Sequence, residues 1–138
     1  MDHTGYVLDE QIGFLLRRAT QRHLAIFARG IPQVTTTQFA LLARLAELGP
    51  QSQNALGRET AMDAVTVKGV VDRLVRQGLV ATAPDPADRR RRIVTLTQEG
   101  RALFDRLAPV ALQISAQTLE PLDAEEAALL ARLLSRLT

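Results

Sequence analysis

Four consecutive arginines, Arg89 to Arg92, follow Asp85-Pro86-Ala87-Asp88. The apolar run Leu79-Val80-Ala81-Thr82 comes before them, and Ile93-Val94-Thr95-Leu96-Thr97, rich in β-branched residues, comes after. Two short strand-like segments joined by Pro and Asp turn chemistry predict a β-hairpin with the arginines at its tip. Four like charges on one tip repel each other in the free protein and are favoured when a polyanion approaches. A guanidinium suits the high negative potential of a narrow minor groove. The plain alternative for a charge run alone is a solvated loop.

The segment just before the hairpin adds a second set of candidate contacts. A helix is predicted from the cap Asp63 to Gln77, with Gly78 in the C′ position. On a helical wheel Val67, Val70, Val71 and Leu74 share the core side. Val65, Gly69, Asp72 and Arg76 lie opposite, flanked by Thr66, Lys68 and Arg73. The N-terminal half of this outer face has the dimensions to enter a major groove. Thr66 can bond a base edge or a phosphate, and Lys68 can donate to guanine O6 and N7. Val65 matches a thymine methyl. Gly69 weakens the helix by about 1 kcal/mol relative to Ala and leaves room for close approach to another backbone. Arg73 and Arg76 suit phosphates. Gln53, which opens the preceding short helix, joins Val65, Thr66, Lys68, Gly69, Arg73, Arg76, Asp88, Arg89, Arg90 and Arg91 as candidate DNA contacts. An ordinary amphipathic helix with a polar outer face is the competing reading. An exposed Val, a mid-helix Gly and the chain's only Lys beside an arginine-rich hairpin argue against it.

These segments need a scaffold, and the chain of 138 residues is one domain's worth. It is 46% hydrophobic but only 4% aromatic, so its core is aliphatic. The net charge of +2 does not itself demand a nucleic-acid partner, whereas the clustering of arginine at one hairpin does point to one. The absence of cysteine excludes disulfides, thiolate metal sites and thiol-oxidation switches. With His3 and His23 as the only histidines, no zinc-sensor ligand set is expected, and no cofactor. No apolar run reaches membrane-spanning length. Met1-Asp2-His3-Thr4 lacks signal-peptide character, so a cytoplasmic location is expected.

A long first helix is predicted from Leu8 to Arg29, with Leu8, Ile12, Leu15, Leu16, Ala19, His23, Ile26 and Phe27 on one face. Gly30-Ile31-Pro32 ends it. Thr35 and Gln38 form a capping box for a second helix whose inner stripe is expected to be Phe39, Leu42, Ala43 and Ala46. Gly49-Pro50 stops that helix. Ser52 caps a short third helix, Gln53 to Thr60, anchored by Leu56. After the hairpin, Thr97 caps a fifth helix to about Thr118, in which Pro109 should produce a kink or local break. Asp123 and Glu126 form a second capping box for a last helix with the stripe Leu130, Leu133, Leu134 and Leu137. The expected fold is mainly α with a small β-hairpin wing. Residues 35–97 form a winged helix-turn-helix DNA-binding region, and residues 1–34 and 98–138 a helical dimerisation region, in one compact chain.

The chain resembles the MarR family of transcriptional regulators. The similarity lies in Leu56-Gly57-Arg58-Glu59-Thr60-Ala61-Met62-Asp63, Val65-Thr66-Val67, Val71-Asp72-Arg73-Leu74 and Gly78-Leu79-Val80. It continues in Asp85-Pro86-Ala87-Asp88-Arg89-Arg90 and Leu96-Thr97-Gln98-Glu99-Gly100. The resemblance implies a homodimer of triangular shape with intertwined terminal helices. It also implies a pseudo-palindromic double-stranded DNA operator, usually repressed, and release by a small ligand. Arg90 corresponds to the wing arginine of the minor groove, held by Asp88. The sequence departs from the family at Val65, where Ser is common, and at Gly69, where a long polar or basic residue is common.

Many relatives bind aromatic carboxylates or phenolics, and Gly13-Phe14-Leu15-Leu16-Arg17-Arg18-Ala19 is similar to the opening of members that control aromatic-acid catabolism. The expected effector is therefore a small aromatic or phenolic acid or its thioester. His23, on the apolar face of the first helix, could bond a ligand carboxylate or hydroxyl, or be a satisfied core or interface histidine. Arg17, Arg18 and Arg22 are candidates for a carboxylate clamp, or solvated flank residues. An enzyme is not expected, because there is no cysteine nucleophile, Gly-rich phosphate loop or metal-ligand cluster. Constitutive DNA binding without a ligand, and a winged-helix protein-interaction module, are the alternatives.

Overall fold

A computed structural model describes residues 4–138; the readings made for Met1, Asp2 and His3 lie outside the described residues. The described chain forms two compact units, one of residues 31–110 and one of residues 4–30 with 111–138.

In the first unit, helix α2 (Thr36–Leu48) starts at the predicted capping box. Thr35 Oγ1 accepts from the Gln38 amide, and Gln38 Oε1 accepts from the Thr35 amide. Strand β1 (Gln51–Ser52) leads directly into α3 (Gln53–Glu59), which Ser52 caps. Helix α4 (Ala64–Arg76) follows, capped by Asp63 and closed at Gly78, whose φ of 74° is the left-handed conformation that glycine tolerates. Strands β2 (Val80–Pro84) and β3 (Arg92–Leu96) form the hairpin. The antiparallel sheet has three strands in the order β1-β3-β2, with Val80 opposite Leu96, Pro84 opposite Arg92 and Ser52 opposite Ile93. The core holds Leu41, Leu42, Leu45, Leu56, Val67, Val71, Leu74 and Val94, all essentially inaccessible to solvent.

Helix α5 (Gln98–Thr118) is tied to the hairpin at its first turn. Thr97 Oγ1 donates to the Gly78 carbonyl and accepts from the Gly100 amide, while the Thr97 amide donates to the Leu79 carbonyl. A Cβ at Gly100 would overlap that Leu79 carbonyl. The Thr97 and Gly100 pair therefore sets the start of α5 directly against the start of β2.

The second unit contains α1 (Ile12–Gly30), the C-terminal part of α5 and α6 (Ala124–Arg136), which begins at the Asp123–Glu126 capping box. Ile26, Phe27 and Ile114 are its buried apolar residues, and α6 buries none.

Several expectations need correction. The first helix does not start at Leu8: Leu8–Glu10 is a 3-10 turn, and Gln11 is extended with its side-chain amide bonded to the Val7 carbonyl. Along the apolar face of α1, Ile26 and Phe27 are buried while Ile12, Leu15 and Leu16 are exposed. The buried stripe of α2 is Gln38, Leu41, Leu42 and Leu45, rotated from the one expected. Phe39 sits at its flank, its ring stacked 5.5 Å from Phe104. Pro109 does not break α5, which is continuous from Gln98 to Thr118. The carbonyl that Pro109 leaves without a donor belongs to Asp105, an exposed position where water can bond it. The leucine stripe of the last helix forms at the expected spacing and is partly exposed throughout. The wing gains a third strand, β1, which the sequence reading lacked.

Candidate nucleic-acid interface

The hairpin tip is ordered by its own aspartates. The Asp85 carboxylate accepts from the Ala87 amide at 2.9 Å, and the Asp85 amide donates to the Arg91 carbonyl at 2.8 Å. Asp88 Oδ1 accepts from the Arg90 amide at 3.1 Å and from Arg90 Nε at 3.2 Å. Each aspartate closes a turn onto the residue two ahead, the usual use of Asp in loops. Asp88 also holds a guanidinium whose side chain is 92% exposed. One carboxylate thus fixes both the backbone and the side chain of Arg90, which reduces the freedom lost on docking. Arg92 is not at the tip: it begins β3 and donates to Thr82 Oγ1 across the hairpin at 2.6 Å. Arg89 and Arg91 are exposed.

Because β1 pairs with β3, the start of α3 lies beside these arginines. Ser52, Gln53, Asn54, Arg90, Arg91 and Arg92 line one cleft. The structure therefore brings Gln53 together with Arg90 and Arg91. Asn54 joins them without having been selected from the sequence. Its only signal would have been the two-residue strand that precedes it.

On α4 the core side is Val67, Val70, Val71 and Leu74, as the wheel predicts, and on the opposite side Val65 and Arg76 are exposed while Gly69 and Asp72 are half-buried. Val65 is 84% exposed, and Thr66, Lys68, Arg73 and Arg76 are exposed as well. Asp63 Oδ1 accepts from the Thr66 amide at 2.7 Å. The hydrogen bonds from the Thr66 backbone and then its side chain hold the Asp63 carboxyl below its ordinary range. Lys68 is not free: its Nζ lies 2.9 Å from Asp72 Oδ2, an exposed pair one turn apart. Such a pair is weak enough to exchange for a base or a phosphate.

The candidate effector residues lie on α1. His23 Nδ1 is 2.9 Å from Thr118 Oγ1, and that hydroxyl donates to the Ile114 carbonyl. The hydroxyl's one proton is thereby used, so Thr118 accepts from His23 Nδ1–H. In the neutral ring Nε2 then carries the lone pair and can accept from a ligand donor. The His23 and Phe27 rings are tilted, 6.2 Å apart. Arg22 is engaged elsewhere: Nε and Nη2 donate to the carbonyls of Thr118 and Gln117, at 3.3 and 2.9 Å. It caps the C-terminus of α5, where a cation is favoured. Arg18 lies over the Phe14 ring, 5.7 Å from its centroid, and Arg17 is exposed. The three arginines do not converge with His23 as a single clamp: one is a helix cap and one a ring contact.

Comparison with known proteins agrees with this architecture. The MarR family model matches residues 33–91. The transcriptional repressor NicR of Pseudomonas putida is 47% identical over 128 residues, covering 91% of this chain and 81% of NicR. A solved structure of a probable transcriptional regulator from Pseudomonas aeruginosa is 50% identical, with a TM-score of 0.92 over 96% of this chain and 100% of that one. The structure of BpsR from Bordetella bronchiseptica, whose DNA binding is regulated by 6-hydroxynicotinic acid, is 43% identical. Its TM-score is 0.91 over 96% of both chains. No helix among the described residues is long and apolar enough to cross a membrane. With a fold and sequence shared over nearly its whole length, the chain belongs to the MarR family of transcriptional regulators.

Proposed function

We propose that the protein is a cytoplasmic repressor that binds a pseudo-palindromic operator as a homodimer and releases it on binding a small hydroxylated aromatic acid. Residues 35–97 form the DNA-reading region, and residues 1–34 and 98–138 the dimerisation region. The observation that carries the reading is the Asp88–Arg90 pair, in which one carboxylate oxygen accepts from both the backbone amide and the exposed guanidinium Nε of Arg90. A solvated charged loop has no use for that orientation, while a minor groove does. In this arrangement Arg90 enters the minor groove. Thr66, Lys68 and their neighbours on α4 face the major groove, and Gln53, Arg89, Arg91, Arg73 and Arg76 meet phosphates.

The acid-responsive part is supported by the likeness to BpsR, at 43% identity. It is also supported by His23, whose Nε2 is left as an acceptor suited to a ligand hydroxyl. The ligand acts by favouring a spacing of the two α4 helices in the dimer that no longer matches the half-sites. Its differential affinity for the two forms sets the size of the response.

The test is fluorescence anisotropy with a duplex from upstream of the protein's own coding region, at several salt concentrations, with and without 6-hydroxynicotinic acid. Salt-dependent specific binding that the acid weakens, with a blunted response in His23→Ala, is the expected result. Specific binding untouched by a panel of aromatic acids and their coenzyme A esters would make the protein a constitutive DNA binder instead.

A further inference from the structure

We infer that the outer face of α4 reads a thymine by its C5-methyl group, with Val65 making the contact and Gly69 supplying the clearance. The inference rests on the DNA-binding reading above and names the chemistry of its base contact.

Gly69 sits in the interior of α4. A glycine inside a helix destabilises it relative to alanine, so it calls for a reason. At Gly57 the reason is internal: an added Cβ would lie 3.0 Å from the Met62 carbonyl oxygen and 3.3 Å from Val67 Cγ1. At Gly69 a Cβ would meet nothing within 4 Å, and Gly69 is not among the residues with positive φ. Neither packing nor backbone conformation within the chain needs this glycine. What it accommodates lies outside the chain, against the exposed face of α4.

Val65 stands one turn before Gly69 on that same face, 84% exposed. Solubility gives no reason for a branched apolar side chain there. The adjacent Lys68 pairs with Asp72 at 2.9 Å, so its ammonium lies to the C-terminal side of Val65 on that face. In the major groove, thymine is the base that presents an apolar group, its methyl, and apolar side chains are its natural contacts. A helix without a side chain at Gly69 can settle deeper, bringing the Val65 methyls onto that of the base. The thymine contact is thus carried by shape and apolar surface, beside the polar contacts open to Thr66 and Lys68.

The experiment uses the full chain and an operator duplex whose half-sites have been mapped by footprinting. Each thymine is replaced in turn by deoxyuridine, which removes the methyl and keeps the base pair. One thymine per half-site should lose about fourfold in affinity on replacement, the worth of one buried methyl-sized group. In Val65→Ala that difference should shrink toward none. Gly69→Ala should raise the melting midpoint by a few degrees while weakening operator binding at least fivefold, two effects of opposite sign that a purely structural glycine would not show. Deoxyuridine without effect at every position, or Gly69→Ala binding as tightly as wild type, overturns the inference. If Thr66→Ala still lowers the ratio of specific to non-specific affinity, only this inference falls. If wild type shows no specific binding at all, the DNA-reading proposal falls and takes this one with it.

Discussion

Helices α4 and α6 are each 13 residues long, each capped by an aspartate, and each carries one apolar stripe. In α4 that stripe, Val67, Val70, Val71 and Leu74, is buried within its own unit. In α6 the stripe of Leu130, Leu133, Leu134 and Leu137 stays between 37% and 70% exposed, and the helix buries no residue. The apolar residues Ile12, Leu15 and Leu16 of α1, in the same unit, are exposed too. Periodicity states that a face must be covered but not what covers it. The winged unit completes its core within one chain, whereas the helical unit presents an apolar surface of the kind that marks an interface. A second copy is the cover that the proposed homodimer supplies.

The contrast can be broken most forcefully by the same substitution in both helices. Leu74→Asp places an unpaired carboxylate at a site with no solvent access and should unfold the winged unit. Leu133→Asp together with Leu130→Asp should leave the helical content nearly unchanged, shift the protein to monomer and weaken operator binding by at least 100-fold. Circular dichroism and sedimentation velocity on both variants read the difference. Dimers that survive the α6 substitutions would place the cover elsewhere.

The next effect in size concerns the wing. Arg90→Ala should weaken DNA binding about tenfold or more and lower the salt slope by about one unit if a phosphate contact goes with it. Asp88→Ala should weaken binding as well, by several-fold, although it removes a negative charge. A diffuse positive patch would respond in the opposite direction, so anisotropy titrations of this variant separate an oriented arginine from a charged surface.

The smallest effect is at the α4 cap. Asp63 has a carboxyl held below its ordinary range by bonds from Thr66. A depressed folded-state value means stability that is present above the unfolded carboxylate range and lost as pH falls through the folded value. Asp63→Ala should lower the melting midpoint slightly near neutral pH, and the gap to wild type should narrow in acid. A gap that is constant down to the lowest accessible pH would assign the cap no charge-dependent share.

What was legible in the sequence was local. The caps at Thr35, Asp63 and Asp123 were found because their partners lie three residues away. The α4 core face followed from its period, and the Asp88–Arg90 geometry from a motif whose residues are two apart. What escaped depends on distant parts of the chain. Strand β1 has two residues and no period of its own; it exists by pairing with Ile93 and Val94, and it brings Gln53 and Asn54 to the wing. Arg22 reads as a free cation until the end of α5, 96 residues away, supplies its carbonyls. The α2 stripe was misplaced because the buried Gln38 is polar, its amide oxygen taken by the cap, so an apolar period skips it. The Lys68–Asp72 pair one turn apart is not legible either, since a helical wheel shows faces and not which pair closes.

One chain holds a complete reading unit and, in the proposed homodimer, half of an assembly unit. Sedimentation velocity of the wild-type protein at micromolar concentration, alone and with a single palindromic duplex, tests it directly. The expected result is a species of twice the 15.1 kDa chain mass, and a complex of two chains per duplex. A 15.1 kDa species that persists alone and binds the duplex one chain at a time would contradict it.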